Sequence, residues 1–190
     1  MQDFLFYWEL GLFHVLDWSA YDHFLFLVAL TLPFSFKELK TVFWLVTLFT
    51  IGHTFSLVLS AFEIYNPPEK IIELLIPLTI LIAALSNIIR NKKINSSKFL
   101  ELSFSLFFGL IHGFGFGNYF NQITFPVDSK FNPLLGFAIG LEFSQLIIVL
   151  GILFVNLAII KWNSFYLSKY RIISSSVIIG FSISMILNML

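Results

Sequence analysis

Long apolar stretches alternate with short polar ones along the whole chain, and this pattern predicts helices that cross a membrane. The apolar stretches occupy residues 21–35, 41–61, 71–90, 99–120, 132–160 and 171–190. About 20 apolar residues in a helix span the hydrocarbon core of a bilayer, so every stretch but the first is long enough. We therefore predict an all-α membrane protein, a polytopic bundle of about six transmembrane helices that forms a single transmembrane domain over residues 1–190.

The first residues of the chain do not fit this simple pattern. The segment MQDFLFYWELGLFH mixes apolar residues with Asp3 and Glu9, and it lacks the basic start and the small-residue cleavage site of a signal peptide. We predict that it forms an N-terminal interfacial helix, amphipathic and lying near the membrane surface. Because the first apolar stretch is short, its helix is expected to begin earlier, near Asp17.

Basic residues are concentrated in alternate connections, and this predicts the orientation of the bundle. Lys and Arg are retained on the cytoplasmic side during membrane insertion. Nine of the eleven basic residues lie in the first, third and fifth connections, namely Lys37, Lys40, Arg90, Lys92, Lys93, Lys98, Lys161, Lys169 and Arg171. Only Lys70 and Lys130 lie in the other two connections. Both termini are therefore predicted to be external.

The composition agrees with a membrane protein and narrows its chemistry. Hydrophobic residues make up 58% of the chain and charged residues 12%, with a mean hydropathy of +0.90, whereas about a quarter of the residues of soluble domains are charged. The chain has no cysteine, so a bound metal must be held by nitrogen or oxygen. Without a basic patch or a Walker A motif, we expect no nucleic-acid partner and no ATP hydrolysis.

Ionisable residues inside the apolar stretches converge on one depth when they are counted at about 1.5 Å per helical residue. Six of them lie in the outer half of the membrane: Asp22, His23, His53, Glu73, His112 and Glu142. A charged group at the bilayer centre costs at least about 2.5 kcal/mol, so such residues usually have a partner or a role. Because they come from five different helices, we predict that they form a shared site.

Helical spacing adds polar side chains that would support the ligands of such a site. Thr50 shares a helix face with His53, so its hydroxyl is expected to orient the imidazole. Gln145 follows Glu142 on one stripe of its helix. The full set of predicted supporting residues is Asp17, Thr50, Glu73, Asn87 and Gln145.

The stretch FGLIHGFGFG contains three glycines at intervals of four residues, Gly109, Gly113 and Gly117. Glycines at this spacing let a neighbouring helix approach backbone to backbone. His112 is next to this seam, and two interpretations stay open. In the first, the glycines serve packing alone; in the second, the close approach brings His112 to groups on another helix. Gly136 and Gly140 repeat the spacing and are interpreted as packing residues.

Five segments resemble the HupE/UreJ family of small membrane proteins. These are HVLDWSAYDHFLFLVAL (14–30), FTIGHTFSLVLS (49–60), IELLIPLTILIAALSN (72–87), FFGLIHGFGFGNYF (107–120) and GFAIGLEFSQLIIVL (136–150). The resemblance covers about residues 10 to 150. Taken together, the Asp-His, Gly-His, His-Gly-x-Gly-Phe and Gly-x-Glu-x-x-Gln motifs are fairly specific, although each one alone is weak.

The resemblance implies a multi-pass protein of the bacterial inner membrane that transports nickel or cobalt in support of hydrogenases and ureases. The metal-binding positions it implies are His14, Asp22, His23, His53, His112 and Glu142. Imidazoles and carboxylates suit a divalent ion such as Ni²⁺, Co²⁺ or Zn²⁺. We place His14 and Asp17 at the outer mouth as a capture site.

Several alternatives to transport stay open at this stage. One is an intramembrane zinc-dependent hydrolase, in which histidines hold a catalytic zinc and Glu142 or Asp22 acts as the base. Another is a non-transporting assembly factor that holds a metal ion. A third is purely structural, with histidines and carboxylates pairing only to hold the bundle together. The partners expected are the lipid bilayer and a metal ion, while a homo-oligomer and a link to metalloenzyme maturation stay open.

Overall fold

The computed structural model describes residues 2–17, 21–89, 98–124 and 130–189, and these form seven α-helices with no strand among them. The helices are α1 (Gln2–Leu16), α2 (Asp22–Thr31), α3 (Leu39–Ala61), α4 (Glu69–Ile89), α5 (Lys98–Thr124), α6 (Phe131–Asn163) and α7 (Phe165–Leu187). A short 3-10 helix, Phe36–Glu38, precedes α3. Helices α3 to α7 are long and apolar enough to cross a membrane. The prediction of an all-α multi-pass protein is confirmed.

Helices α1 and α2 are both too short to span a bilayer, with 15 and 10 residues. Helix α1 packs along the first half of α6, and a Cβ added at Gly136 or Gly140 would meet the backbone of Phe4 or Trp8 respectively. A step of four residues along α6 moves the contact four residues forward along α1, so the two helices run in the same direction. The predicted interfacial helix is therefore packed lengthwise within the bundle.

Together, α1 and α2 are long enough for one crossing of the membrane, at about 37 Å for 25 helical residues. The chain leaves helical geometry at Asp17, and α2 begins at Asp22, so the expected helix start near Asp17 is wrong. Transmembrane helices that are broken in this way expose polar groups at mid-membrane depth, where transporters bind their substrates. With this broken crossing, the described helices make about six crossings.

Long side chains close the bundle at the end where α2 meets α6 and α7. The amide of Asn156 donates to the carbonyl oxygens of Leu32 and Phe34, at 3.2 and 2.9 Å. The guanidinium of Arg171 donates to the carbonyl oxygen of Pro33 at 2.9 Å. This is the end that carries the basic connections, and its cytoplasmic location stays a prediction from charge. Arg90, Lys92 and Lys93 lie outside the described residues.

At the opposite end of the bundle, which the charge pattern predicts to be the outer one, two contacts tie the chain to α5. The hydroxyl of Tyr7 donates to the carbonyl oxygen of Ile123 at 3.0 Å, and the amide of Asn121 donates to that of Ser60 at 2.8 Å. Tyr7 lies in the first half of α1, and Ser60 lies near the end of α3. Both contact the last residues of α5, so they lie at the same end of the bundle. The start of α1 and the end of α3 are thereby placed on the same side.

The glycine seam of α5 packs against α3. A Cβ added at Gly109 would meet the backbone of Phe49, and one added at Gly113 would meet the His53 carbonyl oxygen. A step of four residues along α5 moves the contact four residues forward along α3, so α3 and α5 are parallel. The close approach brings His53 and His112 to neighbouring helix faces, so the seam serves both packing and the position of the histidines.

Candidate metal centre

All four histidines of the chain gather where the break between α1 and α2 faces α3 and α5. His14 lies at the end of α1, His23 at the start of α2, His53 in α3 and His112 in α5. Ligand atoms of His14, His23 and His53 all lie within 4.8 Å of one another. The ring of His112 is 5.2 Å from that of His23, measured between centroids. We call these four residues the histidine group.

In two of the imidazoles the hydrogen bond is made by Nδ1, which leaves Nε2 available. His112 Nδ1 lies 2.9 Å from the carbonyl oxygen of Phe108. A carbonyl can only accept, so Nδ1 carries the proton and Nε2 of the neutral ring keeps its lone pair. His23 Nδ1 lies 3.2 Å from Asp22 Oδ1, which favours the same tautomer. A metal ligand of this kind needs a free lone pair on the second nitrogen.

Unpartnered imidazole nitrogens are the most unusual feature of this group. Among the described residues, Nε2 of all four histidines is buried without a hydrogen-bond partner, and Nδ1 of His53 also lacks one. Leaving a buried polar atom unpaired costs about 1–3 kcal/mol. Several such atoms facing one another therefore suggest a ligand that accepts lone pairs, as a metal ion does.

The spacing of the group is close to that of a metal site. With metal-to-nitrogen distances of about 2.1 Å, tetrahedral ligand atoms are about 3.4 Å apart. The group of His14, His23 and His53 lies within 4.8 Å, so a shift of about 1.4 Å or less would bring any pair to that separation. Three neutral imidazoles suit Ni²⁺, Co²⁺ or Zn²⁺ and leave positions open for water or for His112.

Phenylalanine rings form the walls of the histidine group. The His14 ring lies 4.1 Å from that of Phe116, and the His53 ring stacks on Phe137 at 5.9 Å, both between centroids. Phe116 and Phe137 also stack on each other at 4.9 Å. These walls restrict the rotamers of the imidazoles and exclude water from one side of them.

Asp22 supports His23 in the structure. Its Oδ1 accepts from the backbone nitrogen of His23 at 2.9 Å and faces the ring Nδ1 at 3.2 Å. A carboxylate that holds a histidine in this way fixes its tautomer and raises its basicity as a ligand. Oδ1 of Asp22 is thus engaged by His23, and direct binding of a metal by Asp22 stays a prediction.

His14 and Asp17 interact electrostatically, but His14 does not lie at the outer mouth. The placement of His14 at the outer mouth is wrong, because the structure puts it inside the group with His23 and His53. It arrives there because α1 descends along α6 before the chain breaks. Asp17 is exposed and lies just beyond the end of α1.

Glu142 lies at a separate polar contact between α3 and α6. Its Oε1 accepts from the hydroxyl of Thr47 at 2.6 Å, and its Oε2 contacts the hydroxyl of Thr50. The Thr50 hydroxyl also lies 2.9 Å from Gln145 Oε1. The expectation that Thr50 orients His53 is therefore wrong, and Glu142 is not part of the group of three histidines.

The sequence did not identify Thr47 as part of this contact. Thr47 lies one turn before Thr50 on the same face of α3, so the spacing of the two residues carried the signal.

A cavity of about 210 Å³ leads from the histidine group to the outer connection between α3 and α4. His14, His23 and His112 line its inner part. Its opening is lined by Asn66, Glu69, Glu73 and Asn118. Glu73 is thus near the cavity as expected, but at its opening and exposed. Glu69 was not predicted, although it precedes Glu73 by one helical turn.

A second cavity of about 110 Å³ lies on the inner side of the histidine group. Its lining includes Ser86, Asn87, Glu101 and Phe108. The side-chain amide of Asn87 donates to the carbonyl oxygen of Ala29 at 2.7 Å. Asn87 was expected to support the histidines, and this hydrogen bond directs it to α2 instead. The inner cavity is lined mainly by apolar residues, with Ser86, Asn87 and Glu101 as its polar ones.

A thin layer of aromatic rings separates the two cavities. Phe26 stacks on Phe49 at 5.0 Å and packs edge-on against Phe108 at 5.5 Å, between centroids. Phe108 lines the inner cavity, while His112, four residues later, lines the outer one. Four helical residues correspond to about 6 Å. We call Phe26, Phe49 and Phe108 the phenylalanine layer.

The fold and this site define a multi-pass helical membrane protein with an intramembrane histidine group. The chain matches the family described as HupE / UreJ protein over residues 1–188 and therefore belongs to that family. Searches among curated proteins and among solved structures gave no match.

Proposed function

We propose that this protein is a permease for a divalent transition metal, Ni²⁺ or Co²⁺, in the bacterial inner membrane. The ion is the substrate, and it binds in the outer half of the bundle between His14, His23 and His53. Membership of the HupE / UreJ family supports a role in nickel or cobalt transport or in metalloenzyme maturation. We further propose that the imported metal serves maturation of a metalloenzyme.

The observation that carries this proposal is the set of unpartnered imidazole nitrogens at the end of an outward-opening cavity. A structural pairing of histidines with carboxylates would leave these nitrogens satisfied. In the structure, the one imidazole nitrogen that Asp22 contacts among the described residues is Nδ1 of His23, and Glu142 is held by threonines. The arrangement therefore favours binding of an ion over simple cohesion of the helices.

The inner cavity gives the ion a route onward. The phenylalanine layer lies between the two cavities, with Phe108 lining the inner one and Phe26 and Phe49 packed against His112 of the outer one. Passage of the ion requires these rings to move aside. An inside-negative potential favours inward movement of a divalent cation by about 4.6 kcal/mol per 100 mV, twice the value for one charge. This driving force suffices for facilitated uptake without ATP.

Metal flux into proteoliposomes tests the proposal. Ni²⁺ and Co²⁺ uptake is measured for the wild type, His53→Ala and His112→Ala, with Ser182→Ala as the matched control. Ser182 is buried in α7 and bonds the Ile178 carbonyl, away from both cavities. We expect His53→Ala to lower flux at least tenfold, His112→Ala to lower it less, and Ser182→Ala to leave it unchanged.

Two results would contradict the permease. Flux that is equal in the wild type and His53→Ala would reject the histidine group as the binding site. Tight metal binding by a wild-type protein that gives no flux would instead favour a metal-holding assembly factor.

A further inference from the structure

Two carboxylates stand at the opening of the outer cavity. Glu69 and Glu73 lie one turn apart in the first part of α4, and both are exposed and line the cavity. Like charges at this spacing repel each other and weaken a helix. Asp22 adds a third carboxylate deeper in the same cavity. None of the described residues that line the cavity is Lys or Arg.

The far end of this cavity has a second, independent feature that fits a cation. Nε2 of His23 and Nε2 of His112 are unpartnered, and their side chains are 3% and 1% exposed. The acidic opening and these lone pairs share one continuous space. Carboxylates at the opening of a low-dielectric cleft concentrate the field and raise the local concentration of cations.

We propose that Glu69 and Glu73 form an outer site that captures a hydrated divalent cation before it reaches the histidines. The inference rests on the proposed function, because it assigns the first step of the same route. It replaces the capture site predicted at His14 and Asp17. Asn66 and Asn118, which also line the opening, bind the water shell of the ion.

The cavity has room for a hydrated ion. Its volume of about 210 Å³ is enough for several waters, so a divalent cation can enter with its water shell. Exposed carboxylates attract such an ion through its water shell without holding it tightly. The imidazoles then replace the waters at the narrow end, where the phenylalanine walls exclude solvent.

A structural role for the two residues predicts something different. Acidic residues in the first turn stabilise a helix through its dipole, and Glu69 is the first residue of α4. That role affects the unfolding temperature and leaves metal association unchanged. The two roles are therefore separated by kinetics of binding at different ionic strengths.

Stopped-flow association of Co²⁺ with the full chain in nanodiscs of uncharged lipid tests the proposal. The variants are Glu69→Gln with Glu73→Gln, and Glu69→Asp with Glu73→Asp, which keeps both charges. Glu63→Gln is the control, because Glu63 is exposed in the connection that precedes α4 and does not line the cavity. Rates are compared at about 0.01 M and 1 M salt, where the Debye length is about 30 and 3 Å.

We expect the double Gln variant to associate about tenfold more slowly at low salt and within about twofold of the wild type at high salt. The dissociation rate should not change. The double Asp variant and Glu63→Gln should stay within about twofold of the wild type at both salts.

An association rate that is unchanged in the double Gln variant at low salt would overturn the capture site. A tenfold loss that persists at high salt would also overturn it, because Glu69 and Glu73 would then be direct ligands. Binding is measured without transport, so a protein that binds Co²⁺ with this salt dependence but gives no flux refutes only the permease. A wild type that binds no Co²⁺ refutes both.

Discussion

Replacing Asp22 by Asn tests whether this carboxylate supports His23 or binds the metal itself. Asn keeps an oxygen that can accept from the backbone nitrogen of His23, so the start of α2 is preserved. It removes the negative charge 3.2 Å from His23 Nδ1. Charge-assisted hydrogen bonds are about twice as strong as neutral ones, so the imidazole becomes less well oriented and less basic.

The loss of such a supporting carboxylate typically costs 10–100-fold in metal affinity, which is about 1.4–2.7 kcal/mol. We expect this loss for Co²⁺ binding to Asp22→Asn in detergent or nanodiscs, measured by titration. The visible absorption spectrum of bound Co²⁺ should stay the same, because the ligand atoms remain three imidazole nitrogens. Glu63→Gln removes one exposed charge at the same end of the bundle and should leave the affinity unchanged.

Two outcomes would refute this reasoning. An unchanged affinity would mean that the contact between Asp22 and His23 has no influence on the site. A changed Co²⁺ spectrum would mean that Asp22 is a direct ligand, as the sequence predicted, and that the hydrogen bond to His23 is exchanged when the metal binds.

Two further predictions concern packing and passage through the bundle. Gly113→Ala should destabilise the protein, by about 1–3 kcal/mol, because the added Cβ meets the backbone of α3. Gly180→Ala should stabilise it by about 0.4–1 kcal/mol, because nothing lies within 4 Å of the added atom. Thermal unfolding should therefore show a lower unfolding temperature for Gly113→Ala and a higher one for Gly180→Ala. Equal shifts would contradict the close packing of α5 against α3. Phe108→Ala should raise the rate of Co²⁺ leak from loaded proteoliposomes several-fold, because it thins the layer between the two cavities, whereas an unchanged leak would exclude that layer as the barrier.

Much of the helix pattern could be predicted, because a bilayer imposes simple limits on sequence. A spanning helix needs a long apolar run, and the observed α3 and α4 differ from the predicted stretches by only two residues at their starts. The glycine seam of α5 was also recognisable, since close helix approach requires small residues at intervals of four. Which helix the seam contacts was not predictable, because spacing specifies a face and not its partner.

The first crossing shows where the pattern was insufficient. The sequence suggested an interfacial helix followed by a short transmembrane helix, because neither segment alone has the length to span. In the structure, Gly136 and Gly140 of α6 allow α1 to descend beside them, so the break near Asp17 lies within the crossing. That packing carries His14 into the histidine group.

By itself, the sequence determined the membrane location, the approximate helices and the prediction that His23, His53 and His112 share one depth, because hydropathy and helical rise are properties of the local chain. Only the tertiary structure decided which polar side chains meet. His14 joins His23 and His53, whereas Glu142 is taken by Thr47 and Thr50 on a neighbouring contact. The physical reason is that depth fixes one coordinate of a side chain, while rotation of each helix and the choice of neighbour fix the other two.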